Sequence, residues 1–488
     1  MNIVDVKRLV IVGGGTAGWL AASHFSRRWH RKIEVTIIDK SKPDRIGVGE
    51  ATLLNFPNVM RQMGYQPEEW IPKVDATFKS GIRFPGWGKE DSEIWHPFGF
   101  CSLGTPPVPL YDIWTNFQEE GTIRSISALY GSGTKGNVEL DYLHEAYAFQ
   151  LDCGKLVSFL QMHTENFLNY IQSDVTDVIK NGDDIEKLIL EDGREIEADL
   201  FIDCTGFKRL LFGQEDTIDL SDRLFINSAV ASRVQYKSDD EKHPYTDCEA
   251  VEHGWIWKIP TKTRIGTGYC FNRDVTDPEL IMDSFVKHWD NRINKDDLKL
   301  IKWDPRMSSR YWKGNVVAIG LSSGFIEPLE STGLALMIRQ IEYLEEGIYG
   351  PFYNKDVEIQ AYNSRVNAAY ETAVDYINMH YAYSERKGKF WDYVRSKWKK
   401  SGMQQFMEDQ IMNDGDTYQG EKLGSFFGGS NWHVWLAQLM PYDIPAKTYW
   451  HDRYNDIVQR YRKYIAEKDK NVLESVSQSA VLSQYYDQ

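Results

Sequence analysis

Cysteine is scarce in this sequence, and the few cysteines stand far apart. The 488 residues include five, and no two of them form a C-x-x-C pair. A disulfide framework or a zinc site is built from closely spaced or paired cysteines, so we expect neither, and no metal is predicted. The five positions expected to carry reduced structural thiols are Cys101, Cys153, Cys204, Cys248 and Cys270.

Long apolar runs and basic clusters are also missing. No stretch is apolar over the length that spans a bilayer, and the N-terminus enters a strand-like segment directly rather than a signal sequence. The formal net charge of −15 argues against a nucleic-acid surface. We therefore expect a cytoplasmic protein with neither a membrane nor a nucleic-acid partner. A hydrophobic content of 42% is enough for a large core of two or three interleaved lobes.

The N-terminal segment carries a glycine-rich turn between a strand and a helix. Arg8–Val12 has the apolar pattern of a buried strand, a helical pattern continues from Trp19, and a G-x-G-x-x-G motif lies between them. Such glycines permit a tight turn and a close approach to a pyrophosphate at the helix N-terminus. A second strand ends in Asp39, at the distance where a carboxylate accepts ribose hydroxyls. The unit suits FAD or NAD, and its candidate binding residues are Gly13, Gly15, Thr16, Ala17, Gly18 and Asp39.

The pattern along the chain predicts an α/β (α+β) fold with a Rossmann-like domain and an added, mainly helical C-terminal region. We assign residues 1–350 to the dinucleotide-binding domain with interleaved substrate-side segments, and residues 351–488 to the helical region. In the second region, residues 354–383 and 451–468 show the clearest helical spacing.

Three segments of the first region have distinctive patterns. Residues 174–203 predict a small antiparallel meander that ends in a strand, followed by a second glycine turn at Gly206 that either approaches the same nucleotide or is a plain turn. Residues 85–98 are rich in Trp, Pro and Gly and predict a loop lined with aromatic side chains. Residues 139–160 predict a helix.

The segment from residue 324 to residue 334 places a carboxylate, two hydroxyls and a glycine where a helix begins. An apolar strand at 315–320 precedes it, and helical spacing follows from 334 to 346 before Gly347, which we expect to end the helix. Free backbone amides at Thr332 and Gly333 would face outward with the positive end of the helix dipole behind them. Such a place suits a halide, a carboxylate or the electron-rich edge of a reduced flavin.

Residues 320–324 also fit G-x-S-x-G, the nucleophile elbow of an α/β-hydrolase. That motif requires a helix directly after the serine, whereas Phe325 to Pro328 do not open one. An N-terminal dinucleotide motif also has no use in a hydrolase. We therefore do not expect a serine hydrolase.

A further motif, W-x-W-x-I-P, lies in the strand-like segment Gly254–Pro260. Because side chains two apart share one face of a strand, Trp255 and Trp257 should lie side by side. Together with residues 47–52, residues 78–80, the glycine turn and the E-S-T-G segment, this motif makes the chain similar to the flavin-dependent halogenases of the tryptophan halogenase type. The resemblance extends through the motifs from Val10 to about Gly333.

The resemblance implies a role for each matching residue. The FAD domain would be of the aromatic-hydroxylase type, with Gly49, Glu50 and Ala51 on a loop across the flavin. Lys79 would be the family's essential lysine and Glu330 its active-site glutamate, which either polarises the oxidant or takes the ring proton as a general base. The remaining assignments are a halide site at Thr332 and Gly333, a substrate pocket lined by His96 and Phe98, and a tunnel flanked by Trp255 and Trp257.

The implied activity is the halogenation of an electron-rich aromatic ring. Reduced FAD, supplied by a separate flavin reductase, and oxygen would oxidise a halide to hypohalous acid, which passes through the tunnel to Lys79. Residues 426–454 give no secure alignment with the residues by which free-tryptophan enzymes hold the amino acid. Free tryptophan, a larger indole, a phenol and other aromatic substrates therefore all stay open. The alternative is an FAD-dependent aromatic monooxygenase, which hydroxylates its substrate. That enzyme would share the glycines but would need the substrate beside the flavin and no relay lysine.

Overall fold

A six-stranded, mostly parallel sheet carries the N-terminal glycine turn. The computed structural model describes residues 6–29, 31–40, 49–98, 102–103, 108–109, 137–138, 147–349, 354–413, 426–440 and 476–486, with a few single positions between 456 and 466. The sheet has the strand order Asn169–Gln172, Glu34–Asp39, Arg8–Val12, Leu200–Asp203, Val316–Ala318 and Trp312–Lys313. All neighbours are parallel except the last pair. The predicted strand, turn, helix and strand are confirmed, because Arg8–Val12 leads through the glycines into the helix Thr16–Trp29.

A seven-stranded sheet holds the two tryptophans of the W-x-W motif. Its strand order is Lys299–Lys302, Ser228–Val234, Ile265–Phe271, Gly254–Pro260, Thr246–Val251, Gly81–Pro85 and Glu93–Pro97. The prediction of a loop at 85–98 is therefore wrong in its second half, where Glu93–Pro97 pairs antiparallel with Gly81–Pro85. Pro85 and Pro97 are the last residues of these two strands, where a missing backbone N–H costs the sheet few hydrogen bonds. Neither proline therefore excludes a strand.

A small three-stranded sheet brings together two sequence motifs that are distant along the chain. Ala148–Asp152 is its central strand, with Gly49–Ala51 on one side and Thr77–Lys79 on the other. The prediction of a helix over 139–160 is therefore wrong for residues 148–152, and residues 139–146 lie outside the described residues. The helix here is Cys153–Thr164, and it begins where the Asp152 carboxylate accepts a hydrogen bond from the Lys155 amide.

Two long helices follow the E-S-T-G segment. Thr332–Tyr349 begins at the predicted place but continues through Gly347, which therefore does not end the helix. A Cβ atom at Gly347 would lie 3.3 Å from the Trp312 ring, so this glycine permits close packing rather than termination. The helix Lys355–His380 confirms the helical prediction for 354–383, whereas the predicted helix at 451–468 falls almost wholly outside the described residues.

The remaining elements complete the mixed α/β architecture. The predicted meander is confirmed as Val175–Asn181, Asp184–Leu190 and Glu195–Ile196. Another small sheet contains Thr217–Asp219, Arg306–Ser308 and Gly324–Phe325, and two strand pairs join Ser102–Leu103 to Val108–Pro109 and Asn137–Val138 to Val476–Ser477. Further α-helices are Asn55–Gln62, Pro67–Trp70, Pro278–His288, Lys389–Lys397, Gly402–Met412, Gly429–Leu439 and Gln478–Tyr486. No helix in the described ranges has the length and apolar character to cross a bilayer.

The largest hydrophobic cluster draws on both ends of the chain. It contains Leu9 and Ile11 of the first strand together with Tyr376 and Trp435 from the helices beyond residue 351. The boundary predicted between residues 350 and 351 stays a prediction. The cysteines in the described parts of the chain, Cys153, Cys204, Cys248 and Cys270, are free thiols, and Cys101 lies outside the described residues.

Candidate active site

The N-terminal glycine turn has the shape of a pyrophosphate cradle. Gly13 has a φ of 113°, and a Cβ atom there would collide with the Cys204 carbonyl oxygen. A Cβ atom at Gly18 would collide with the carbonyl oxygen of Gly13, so both positions need glycine for the turn to close. Gly15 is exposed, with nothing within 4 Å of a Cβ atom, and it leaves open space at the N-terminus of Thr16–Trp29. This arrangement fits a dinucleotide phosphate.

Asp39 lies against this turn rather than out in solvent. Its Oδ1 accepts hydrogen bonds from the backbone amides of Gly14 at 3.1 Å and Lys40 at 2.8 Å. A Cβ atom at Gly14 would overlap the Asp39 carboxylate, which explains why the middle glycine is needed as well. The second glycine turn borders the first, because the Cys204 amide donates to the Val12 carbonyl and Gly206 follows with a φ of 70°.

Lys79 is a fully buried lysine at the end of the strand Thr77–Lys79. Its Nζ donates to the Ser331 hydroxyl at 2.8 Å and to the Thr52 carbonyl oxygen at 3.1 Å. The same atom lies 4.9 Å from the centre of the Phe98 ring. Burial lowers the pKa of Lys79 to about 7, against the opposing charges of Glu330 and Glu50. A substantial fraction of this side chain is therefore a neutral amine near neutral pH.

Glu330 is equally buried, yet its carboxylate has several hydrogen-bond donors. His96 Nδ1 lies 2.8 Å from Oε2, while His380 Nε2 at 2.6 Å and Trp435 Nε1 at 3.0 Å approach Oε1. Burial alone would raise the pKa of Glu330, but the charge of His96 and the hydrogen bonds from both histidines outweigh it and lower the pKa to about 2. Glu330 therefore stays ionised beside Lys79.

The sequence motifs include Glu330 and His96, which the structure brings together, but neither His380 nor Trp435. His380 is the last residue of the helix Lys355–His380, 50 positions beyond Glu330, and Trp435 is 105 positions beyond it. Neither belongs to a motif, and only the packing of the C-terminal helices brings them to the carboxylate. A sequence pattern therefore gave no signal for either.

The start of the helix Thr332–Tyr349 lies directly beside Glu330 and Lys79. Ser331 adopts a left-handed conformation with a φ of 58°, which turns the chain into the helix. The Thr332 hydroxyl is buried and has no hydrogen-bond partner among the described residues. A Cβ atom at Gly333 would meet only Glu50 Oε1, at 3.7 Å. The helix start therefore faces a small space with a carboxylate on its far side.

Glu50 brings a third ionisable group to this region. It lies in the strand Gly49–Ala51, and its Oε2 is 3.5 Å from the Cys153 thiol, which donates to it. Burial raises the pKa of Glu50 to about 7, although the thiol and the charge of Lys79 oppose this shift. Glu50 therefore changes protonation in the same pH range as Lys79.

The two tryptophans of the W-x-W motif share one face of their strand, as predicted. Their ring centres are 6.2 Å apart, and both side chains are buried. Trp257 lies flat over Gly268 on the neighbouring strand, where a Cβ atom would overlap its ring. The strand also packs against Gly49, because a Cβ atom there would lie 3.2 Å from Ile259.

His96 and Phe98 lie among aromatic side chains from the C-terminal region: Tyr376 in the helix Lys355–His380, and Phe427 just before the helix Gly429–Leu439. The His96 ring centre lies 6.4 Å from Phe98, 5.9 Å from Tyr376 and 6.5 Å from Phe427. Its Nε2 is 2.9 Å from the side-chain oxygen of Asn431. The rings of these residues are suited to contact a flat aromatic molecule.

The serine of the G-x-S-x-G motif is engaged in a structural hydrogen bond. Ser322 Oγ donates to Asp203 Oδ1 at 2.9 Å, and the segment Gly320–Ser322 is a single 3₁₀ turn rather than a strand-to-helix elbow. The expectation that this motif does not form a hydrolase site agrees with that geometry.

Comparison with known proteins gives matches along almost the whole chain. A family model described as tryptophan halogenase matches residues 8–449. The tryptophan 7-halogenase RebH of Lentzea aerocolonigenes is 28% identical, over 96% of this chain and 97% of the relative. The tryptophan 6-halogenase ThaL of Streptomyces albogriseolus is 29% identical, over 85% of this chain and 82% of the relative. The solved structure of a flavin-dependent halogenase from Xanthomonas campestris superposes with a TM-score of 0.87 at 28% identity, covering 98% of both chains.

Proposed function

The chain belongs to the tryptophan halogenase family of flavin-dependent enzymes, and we propose that it places a halogen on an electron-rich aromatic ring held beside Lys79. It is an oxidoreductase that uses reduced FAD and a halide. The observation that carries the site assignment is the position of Lys79, fully buried and hydrogen-bonded to Ser331, the residue between Glu330 and the helix start. We take this helix start as the halide site.

The glycine turn provides the phosphate end of the proposed FAD site. Gly13, Gly15 and Gly18 give the backbone its shape, and Thr16 and Ala17 begin the helix. Asp39 stabilises the turn by accepting a hydrogen bond from the Gly14 amide. The strand Gly49–Ala51 would cover the flavin. When bound in its reduced form, FAD with oxygen supplies the two-electron oxidation that converts a halide into hypohalous acid.

The start of the helix Thr332–Tyr349 is the proposed halide site. Backbone amides in the first turn of a helix have no intrahelical acceptor, and the helix dipole places partial positive charge there. The buried Thr332 hydroxyl adds a donor without another partner among the described residues. A chloride or bromide at Thr332 and Gly333 would therefore lie within the same cluster as Lys79.

Lys79 is the proposed halogen-transfer residue. In its neutral form the amine can donate its two hydrogens to Ser331 and Thr52, which leaves the nitrogen lone pair for the electrophile. Attack of the lone pair on hypohalous acid forms an N–halogen bond and breaks the oxygen–halogen bond, and the hydroxide leaves as water with one amine hydrogen. The ring then takes the halogen as the N–halogen bond breaks, and the ring proton goes to the nitrogen, which restores the amine. Glu330 provides a fixed negative charge beside this exchange.

His96 and Phe98 are the proposed walls of the substrate pocket. Tyr376 and Phe427, both from the C-terminal region, extend the same aromatic surface. An indole or a phenol fits such a surface, because flat electron-rich rings pack well against aromatic side chains. Trp255 and Trp257 are proposed to separate this pocket from the flavin, so that only a small oxidant passes from the flavin to the pocket.

The test is to incubate the purified protein with an aromatic library, FAD, NADH, a flavin reductase and either chloride or bromide. We expect mass spectrometry to detect products with the isotope pattern of the halide supplied, and none when the halide is omitted. Products that carry an added oxygen and no halogen would instead support the hydroxylase alternative. Absence of both kinds of product across indoles and phenols would contradict the proposed substrate class.

A further inference from the structure

The Glu330 carboxylate is surrounded by donors from three separate elements. His96 belongs to the strand Glu93–Pro97, His380 ends the helix Lys355–His380, and Trp435 lies in the helix Gly429–Leu439. All of these side chains are buried, and the three donor-to-oxygen distances are between 2.6 and 3.0 Å. Three donors on one carboxylate make it a weak base, because each hydrogen bond stabilises the ionised form.

The hydrogen-bond partners of His380 determine which of its ring nitrogens carry hydrogens. Nδ1 lies 2.7 Å from the Tyr376 carbonyl oxygen, which can only accept, so Nδ1 carries a hydrogen. Nε2 lies 2.6 Å from Glu330 Oε1, and two lone pairs would repel at that distance. Burial disfavours the charged ring and lowers the pKa of His380, but with Glu330 ionised the two contacts require a hydrogen on each ring nitrogen, so the pair is an imidazolium and a carboxylate. The ring is thus held from both sides.

We propose that His380 is a positioning residue, which acts through Glu330 by fixing the orientation of its carboxylate and supplying the hydrogen bond that keeps it an acceptor. This inference rests on the proposed halogenation, because Glu330 is part of that site. Its consequence is that Glu330 serves as a fixed charge rather than as the group that removes the ring proton. The other titratable groups that face Glu330 are Lys79, His96, Cys248 and Tyr376.

The test compares His380→Phe, which removes the donor, with His380→Gln, whose amide can still donate. In His380→Phe, Glu330 should take up a proton at a pH higher by roughly 1–3 units, the effect of losing one charged or hydrogen-bonded neighbour. The ratio of its kcat to that of the wild type should fall as the pH is lowered, while the KM for the aromatic substrate changes less. The pH at which Glu330 takes up a proton in His380→Gln should lie between the values for the wild type and His380→Phe. In Trp435→Phe this pH should shift less than in His380→Phe.

Tyr381→Phe is the matched control for burial and position. Tyr381 is the next residue and is also buried, but its hydroxyl donates to Glu327 instead of Glu330. The pH dependence of kcat in this variant should be the same as in the wild type. A second readout needs no activity: infrared difference spectra of His380→Phe should show a protonated carboxyl band on acidification, and the band should be absent when Glu330→Gln is added.

The outcomes separate this inference from the proposed function. If the wild type halogenates and His380→Phe shows neither a shifted profile nor the carboxyl band, His380 does not act through Glu330 and the inference is wrong. If the wild type halogenates no aromatic, the proposed function fails, while the infrared experiment still decides the role of His380. Should His380→Phe not fold, His380→Gln and Trp435→Phe carry the comparison, and unshifted profiles in both overturn the proposal.

Discussion

Lys79 and Glu330 are both buried, but their surroundings favour different charge states: Lys79 is partly neutral near pH 7, whereas Glu330 stays ionised. Lys79 has a hydroxyl and a carbonyl as partners, so burial dominates and lowers its pKa to about 7. Burial alone would raise the pKa of Glu330, but the charges and hydrogen bonds of two histidines outweigh it and lower this pKa to about 2. The result is a constant negative charge beside a nitrogen that changes its charge near neutral pH. A motif identifies both residue types, but only the contacts reveal this difference.

The first prediction concerns the pH dependence of halogen transfer. Below about pH 7 Lys79 is mostly an ammonium, and above it mostly an amine with a free lone pair. If transfer uses the amine, halogenated product formed per reduced flavin consumed should rise through pH 7 and then level off. The measurement is this ratio between pH 6 and 9 in the wild type and in Glu50→Gln, because Glu50 changes protonation in the same pH range. Dividing by the flavin consumed separates the lysine step from the overall rate of flavin oxidation.

Lys79→Ala is the control for this profile. It removes the amine from a site downstream of the flavin, so FAD binding and peroxide release should persist while halogenation is lost at every pH. A yield that falls with rising pH in the wild type would mean that the ammonium acts as a hydrogen-bond donor to the oxidant. Normal halogenation by Lys79→Ala with catalase present would exclude the lysine altogether.

At the scale of elements, local patterns were predictable and long-range pairings were not. The glycine turn and the start of Thr332–Tyr349 follow from neighbouring residues, because capping and turn chemistry act over a few positions. The strand Ala148–Asp152 exists because two distant strands, Gly49–Ala51 and Thr77–Lys79, pair with its two edges. Its own apolar residues are also compatible with a helix, so the sequence pattern favoured the wrong element.

The second prediction assigns different tasks to the two ends of the E-S-T-G segment. Glu330→Gln removes a fixed charge next to Lys79 and should lower turnover by about 10²–10³-fold, the scale of losing one electrostatic group from an active site. The halide concentration for half-maximal rate should change little. Gly333→Val should instead raise that concentration, because its branched side chain would fill the space between the helix start and Glu50.

Gly333→Ala is the matched control for this pair. Its single methyl group would meet only the Glu50 carboxylate, at an ordinary contact distance of 3.7 Å, so a smaller effect on halide dependence is expected. Halide titrations at fixed substrate decide the assignment. If Glu330→Gln shifts halide dependence and Gly333→Val does not, the two roles have been given to the wrong residues.

At the scale of the molecule, the proposed active site draws on both predicted regions of the chain. Lys79, Glu330 and the proposed halide site precede residue 350, whereas His380 and Trp435 follow residue 351 and approach the Glu330 carboxylate. The sequence motifs end near Gly333, so the resemblance includes Lys79 and Glu330 but not the C-terminal side chains that contact Glu330. Those positions are set by helix packing in a shared hydrophobic core, which no short motif describes.

The last prediction is that the protein binds FAD and does not itself oxidise NADH or NADPH. The sequence has one strand–glycine–helix unit, and the second glycine turn at Gly206 lies beside the first rather than forming another nucleotide site. A nicotinamide cofactor would need a cradle of its own next to the flavin ring. The purified protein with FAD and NADH should therefore consume NADH no faster than free FAD does, and product should appear only when a flavin reductase or chemically reduced FAD is added.

Photoreduced FAD mixed with the enzyme, oxygen, halide and substrate is the more decisive experiment, because the mixture contains no nicotinamide at all. Product formation there, with none from NADH alone, requires reduced flavin to come from a separate donor, whereas NADH oxidation at the rate of product formation would show that the chain has its own nicotinamide site.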